Sequence, residues 1–245
     1  MSIEQFLKNI TLEQLQEFTR LKELENNNIK TYSFSKMRDS ELNQLFDIEQ
    51  KINKNIFNSW FDNDISITKD IYNFLEELLE EEKEYISFYD EEDLKMRFLS
   101  PILLKVNFKN SDFRDFYDEK LVYKTEEFIL NGEVDFTIST SLRVAKKPYF
   151  FIQEFKRAED YSNPRPQLLA ELIAGVELNS WDSIKGAYIV GAIWNFVILQ
   201  RVKKHTYNYY ISQNFDSTKI DDLTDIYKNL LFVKNEIIEM VKKGV

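Results

Sequence analysis

The pattern of apolar and polar positions divides the chain into two textures. From residue 2 to about 85, apolar residues recur at spacings of three and four in SIEQFLKNI, TLEQLQEFTRLKELE, SELNQLFDIEQKINKNIFNSWF and ITKDIYNFLEELLEEEKEYI, which predicts helices. Asn26, Asn27 and Asn28 break the first pair, and Ser40 and Thr68 are the expected helix N-caps. Leu75, Leu78 and Leu79 give the acidic run EELLEEEKE an apolar side, so it reads as a solvated helix face. From residue 91 the texture changes. An amphipathic helix in DEEDLKMRFLSPILLKV is followed by a polar segment around NFKNSDFRDFYD and then by LVYKTEEFIL and EVDFTISTSL. These two flank Asn131-Gly132, a dipeptide suited to a tight hairpin turn. YFFIQEFK is the next strand, and PRPQLLAELIAGVELN a helix with prolines in its first turn. GAYIVGAIW, NFVILQRV and HTYNYYIS are three more strands, and DDLTDIYKNLLFVKNEIIEMVKK is a closing helix opened by acids and ended by lysines. No repeat at solenoid periods interrupts this order. It predicts an α/β fold, with a central mixed sheet flanked by helices over 88–245 and a helical N-terminal region over 1–87.

At 245 residues the chain is long enough for one sizeable core. With 43% hydrophobic and 30% charged residues it belongs to the globular class. No apolar run reaches the roughly 20 residues of a membrane span. The start MSIEQFLKNI lacks the basic and apolar blocks of a secretory leader, so a cytoplasmic address is expected. The formal net charge of −10 excludes a protein that coats nucleic acid non-specifically. The acidity is concentrated: residues 1–95 carry 22 acidic and 11 basic side chains, whereas residues 96–245 carry 20 and 21. The absence of cysteine and the single histidine exclude thiolate catalysis and zinc or iron sites built on those ligands. A metal on this chain is therefore a hard cation, Mg²⁺, Mn²⁺ or Ca²⁺, held by carboxylates.

Carboxylates of the right kind fall on the expected elements. Glu154 and Lys156 are at i and i+2 of one strand, on one side and about 7 Å apart, next to the apolar Phe150, Phe151 and Ile152. Asp135, on the adjacent strand, comes within reach of a cation shared with Glu154. Glu91 opens the preceding helix in line with Leu94, Phe98 and Ile102; Glu92 competes for the same role about 100° away, and Glu133 shares the Asp135 face. Such a set suits phosphodiester hydrolysis, in which carboxylates bind a divalent ion and a lysine orients water or stabilises developing charge. Basic residues surround the motif: Arg143, Lys146, Lys147, Arg157 and Arg165 flank Lys156, against Glu154, Glu159 and Asp160. Of these, Lys146, Lys147, Arg157 and Arg165 are the candidates for tracking a phosphate backbone. His205 is expected to be an exposed neutral side chain, and Tyr207, Tyr209, Tyr210, Trp181 and Trp194 core or sheet-face residues.

The spacing of Asp135, an 18-residue gap and Glu154-Phe155-Lys156 resembles the PD-(D/E)xK nuclease superfamily, the restriction-endonuclease-like fold. Glu91 in EEDLKMRFLSPIL is similar to that superfamily's glutamate on the first core helix, and Gln167 in PRPQLLAEL to a glutamine on the helix after the lysine strand. The resemblance spans about residues 88 to 213, with Val134 standing where the family's name has proline. It implies Glu91, Asp135 and Glu154 as metal ligands, Lys156 as catalytic lysine, Gln167 as active-site support, and Mg²⁺ or Mn²⁺ as cofactor. The implied activity is cleavage of DNA in restriction or phage defence, with RNA as an open alternative substrate. The N-terminal helices are an expected surface for self-association or a partner chain. The competing reading is a catalytically silent nuclease-like fold serving as a binding or assembly module. No G-x-x-x-x-G-K-[ST] occurs in the chain.

Overall fold

The computed structural model describes residues 11–26, 29–53, 55–158 and 163–244. The expected helix in SIEQFLKNI, and Asn27, Asn28, Glu159 and Asp160, lie outside the described residues. The elements in chain order are α1 (Leu12–Asn26), β1 (Lys30–Ser33), α2 (Asp39–Leu45), β2 (Asp47–Gln50), α3 (Asn58–Phe61), α4 (Lys69–Glu82) and α5 (Glu91–Asp93). The last continues through a π-helical turn, Leu94–Leu99, into α6 (Ser100–Val106). Then follow β3 (Arg114–Lys124), β4 (Phe128–Ser139), β5 (Tyr149–Lys156), α7 (Pro164–Asn179), β6 (Ser183–Val190), β7 (Ile193–Lys203), β8 (Thr206–Ile211), β9 (Phe215–Asp216) and α8 (Ile220–Lys242).

The described strands form one mixed nine-stranded sheet in the order β1-β4-β5-β6-β7-β8-β2, with β3 paired to β4 and β9 to β7. Two apolar layers cover it. On one face α3, α4, the helix from Glu91 to Val106 and α8 pack Trp60, Leu75, Leu94, Phe98, Ile102 and Ile226 over Phe151, Phe155, Ile189 and Phe196. On the other, α7 packs Leu168, Leu172 and Ile173 over Ile152, Ile184, Val197 and Tyr207, beside Phe34 and Leu42. The α/β class and the helix and strand order from residue 91 onward agree with the expected pattern.

Three expectations are corrected. The N-terminal region is not helical throughout: Lys30–Ser33 pairs in parallel with Phe128–Asn131, and Asp47–Gln50 with Thr206–Tyr209, so both outer strands of the main path come from it. These four-residue strands lack an apolar alternation that would announce them, and they exist because the sheet offers unpaired edges to them. The predicted helix over residues 40–61 is accordingly split into α2, β2 and α3. At its start Arg38, not Ser40, holds the N-cap position and makes no side-chain cap hydrogen bond, whereas Thr68 does cap α4, accepting from Ile71 N–H at 3.4 Å. Second, Asn131-Gly132 is not a hairpin turn. The β3–β4 turn falls at Thr125–Phe128, where Thr125 N–H and its hydroxyl both donate to the Phe128 carbonyl, and β4 runs straight through Gly132. The glycine serves a close approach instead: a Cβ there would lie 2.8 Å from Phe34 Cδ2. A turn also divides the expected strand GAYIVGAIW, where Gly191 at φ +57° separates β6 from β7.

Candidate active site

The sheet topology creates one unusual place. Both β5 and β1 use the same edge of β4. β5 runs antiparallel to it up to the Phe136–Gln153 pair, and β1 runs parallel to it up to the Asn131–Ser33 pair. The C-terminal ends of β5 and β1 therefore meet head to head along Gly132–Asp135. A cleft of about 470 Å³ opens there, lined among others by Glu91, Asp135, Glu154, Lys156 and Gln167. All five residues expected to form the catalytic constellation are thus brought to one cavity.

Each reaches the cleft for a local reason. Continuing the β4–β5 register one step past Phe136–Gln153 places Asp135 opposite Glu154, and opposed residues of an antiparallel pair share a face. Asp135 Oδ2 accepts the Phe155 N–H at 2.7 Å, so the carboxylate takes the place of a ladder carbonyl where the two strands part. β5 is buried on both faces, and Glu154 is 0% exposed. Its Oε1 accepts from Lys156 Nζ at 2.5 Å, while its Oε2 is buried with no hydrogen-bond partner. The same ammonium donates to the Phe155 carbonyl at 2.9 Å and stands 3.4 Å from Glu91 Oε2. Glu91 is therefore the helix carboxylate of the cleft, and Glu92 is exposed outside it. Glu91 is half-exposed rather than turned fully inward with Leu94, Phe98 and Ile102, because it belongs to the first turn, at the end of the sheet. Glu133 also lines the cleft, from its exposed rim.

The residue that sequence reasoning missed is Glu171. It lies four positions after Gln167 on α7, so the two share a helix face. Gln167 Nε2 donates to Glu171 Oε1 at 3.1 Å, and Glu171 is 0% exposed with Oε2 unpartnered. The Q-x-x-x-E spacing, an acid at helical distance from a candidate glutamine inside an otherwise apolar helix, is the signal that would have found it.

Electrostatically the site is short of positive charge. Burial pushes the Glu154 carboxyl well above its ordinary value, and the neighbouring Asp135 pushes it further, only partly offset by Lys156. Burial likewise raises Glu171, assisted by the charges of Glu154 and Asp135. Burial pulls the Lys156 ammonium downward, but the Glu154 charge, the hydrogen bond between them and the charges of Asp135 and Glu91 outweigh it and hold the lysine above its usual range. Glu91, Asp135, Glu154 and Glu171 thus surround one firmly protonated lysine.

This donor set is made of oxygen, and two of its buried carboxylate oxygens have no partner, a combination that fits a hard cation. Among the described residues, however, no three acidic side chains stand ready as a closed coordination sphere. The contacts explain why: Lys156 occupies Glu154 Oε1 and the Phe155 N–H occupies Asp135 Oδ2. The Lys156 contact is made by a side chain that can rotate, which would leave Glu154 Oε1 to an ion.

The basic candidates divide. Lys146 and Lys147 precede the first residue of β5 and Lys156 is its last, so they lie about 23 Å away along the strand, at the opposite end of the sheet. There Lys146 N–H donates to Ser139 Oγ at 2.9 Å. Arg157 follows Lys156 and is exposed. Arg165, on the first turn of α7, bonds Asp39 Oδ2 at 2.6 Å and ties α7 to α2. None of these four lines the cleft; among the described residues its cations are Arg38, Lys120 and Lys156. Neither a family model nor a curated protein matches this chain.

Proposed function

We propose that this chain is a metal-dependent nuclease that hydrolyses phosphodiester bonds of DNA, in keeping with a role in restriction or defence. The observation that carries this reading is the meeting of Glu91, Asp135, Glu154, Gln167 and a protonated Lys156 in one cleft at the end of β5, with Glu171 buried behind Gln167. Asp135 and Glu154, with Glu91 at the rim, would hold the ion. Bound there, Mg²⁺ or Mn²⁺ supplies charge neutralisation on the phosphodiester and makes water more acidic. The remaining work belongs to side chains. Lys156, kept protonated by Glu154, serves as a donor to a phosphate oxygen and stabilises the charge that builds there during attack; it does not serve as the base. Asp135 fixes the end of β5 through Phe155 N–H and so fixes where Glu154 and Lys156 stand. Gln167 holds Glu171 behind the front carboxylates.

The test is incubation with plasmid, single-stranded DNA and RNA in Mg²⁺ or Mn²⁺, with and without EDTA. Cleavage of DNA is expected, lost with EDTA and reduced at least about 100-fold in Glu154→Ala and Lys156→Ala. Cleavage that survives in either variant overturns the assignment. Ion binding without cleavage of any substrate favours the silent binding or assembly module, and cleavage of RNA alone changes the substrate.

A further inference from the structure

The cleft has a second wall that the carboxylate chemistry does not use. Because β1 ends against β5, its last residue and those after it face the site: Ser33, Ser35 and Arg38 line it, together with Lys120 from β3. Arg38 and Lys120 are exposed, and among the described residues neither belongs to an ion pair. Lys120 lies opposite Glu133 in the β3–β4 register without closing on it. The Arg38 guanidinium is anchored through Nη1, which donates to the Met37 carbonyl at 2.8 Å and the Ser35 carbonyl at 3.5 Å; its other N–H groups remain available to a ligand. The Ser33 and Ser35 hydroxyls hydrogen-bond each other at 3.0 Å, which leaves one hydroxyl proton as a further donor.

We propose that Arg38 and Lys120 grip a backbone phosphate of the nucleic acid next to the scissile one, with Ser33 and Ser35 beside it. This rests on the nuclease reading and adds the part of the substrate that the N-terminal segment holds. The wall answers a need set by charge. Among the described residues Glu17, Glu91, Glu133, Asp135 and Glu154 line the cleft against Arg38, Lys120 and Lys156, so a polyanion is repelled unless ions fill one end and fixed cations hold the strand at the other. Lys156, beside Glu154, is assigned to the scissile phosphate, which leaves Arg38 and Lys120 to position its neighbour. A guanidinium fork is well suited to a phosphate, and such contacts set register without reading bases. Arg38 and Lys120 are positioning residues in this account.

The experiment measures binding of fluorescent duplex DNA by anisotropy in Ca²⁺ at several salt concentrations, for wild type, Arg38→Ala/Lys120→Ala and Lys120→Glu. The double variant is expected to bind roughly ten-fold more weakly, with the slope of log K against log salt shallower by about 1, because the hold on one phosphate is lost. Ca²⁺ binding by calorimetry is expected to stay unchanged, and KM in Mg²⁺ to rise with kcat held. Lys120→Glu, on an exposed strand position, is expected to weaken binding without loss of fold as judged by circular dichroism. Unchanged affinity and salt slope in both variants, while wild type still cleaves, overturns the wall alone. A wild type that neither binds nor cleaves DNA overturns the nuclease reading, and the wall with it.

Discussion

The buried carboxylates of Glu154 and Glu171 carry the sharpest consequence at the scale of single residues. A carboxylate taken out of water without enough partners costs several kcal/mol or takes up a proton, and both groups have an unpartnered oxygen. Replacing Glu171 by glutamine keeps the shape and removes the charge. Glu171→Gln is therefore expected to stabilise the metal-free protein by about 1–3 kcal/mol in urea denaturation. It is also expected to weaken Mn²⁺ binding roughly 10- to 100-fold in calorimetry. A destabilised variant with unchanged Mn²⁺ affinity would show that Glu171 is only a packing residue. The i and i+2 placement of Glu154 and Lys156 was legible from strand alternation, since that rule is local. The role of Glu171 was not, because an acid in a helix buried all round acquires its meaning from the strands beneath it.

Elements are positioned here by close contacts that a residue's type does not announce. Gly132 allows the Phe34 ring to lie against β4, which brings the segment after β1 to the cleft. Phe34 is 0% exposed, so it has little room to yield. Gly132→Ala is expected to cost about 1–3 kcal/mol by urea denaturation, partly from overpacking and partly from the backbone at φ +157°, and less when Phe34 is already alanine. Equal costs in both backgrounds would mean that the strain lies in the backbone of β4 and not in the ring. The same contact explains why Asn131-Gly132 read as a turn: a glycine that admits a neighbouring side chain and a glycine that reverses the chain are the same letter. β1 and β2 were missed for a related reason. Their partners lie at Phe128–Asn131 and Thr206–Tyr209, far along the chain, and their own residues are too few and too exposed to show a period.

For the whole molecule the charge of the site becomes a dependence of stability on pH. Glu154 and Glu171 hold protons more tightly in the fold than in the unfolded chain. The folded state therefore binds more protons in the window above the ordinary glutamate value of 4.5 and below the raised values. Stability from these groups is fully present below that ordinary value and is lost as pH rises through the raised ones. Metal-free protein is expected to melt at a lower temperature at pH 8 than at pH 6. Added Mg²⁺ or Mn²⁺ is expected to restore the loss, more strongly at the higher pH, because ligands bind a cation only after losing their protons. A melting temperature that stays flat with pH, or an ion effect that shrinks as pH rises, would contradict the placement of these carboxyls. Among the described residues no helix is long and apolar enough to cross a membrane.

Sequence alone determined what depends on near neighbours: the helices α5 to α8, the strands β3 to β8 in outline, the exclusion of thiol and imidazole metal chemistry, and the carboxylate–lysine pair of β5. These follow from periods of two and 3.6 residues and from side-chain chemistry, which a short window contains. Only the tertiary structure decided that two N-terminal strands complete the sheet, that Glu171 stands behind Glu154, and that Arg38 and Lys120, rather than Lys146 and Lys147, share the cleft with Lys156. Those facts depend on which strand edges and helix faces meet, and that is settled by backbone hydrogen bonding and burial between segments from 17 residues apart, for Glu154 and Glu171, to 159 apart, for β2 and β8, for which no local pattern is a sufficient record.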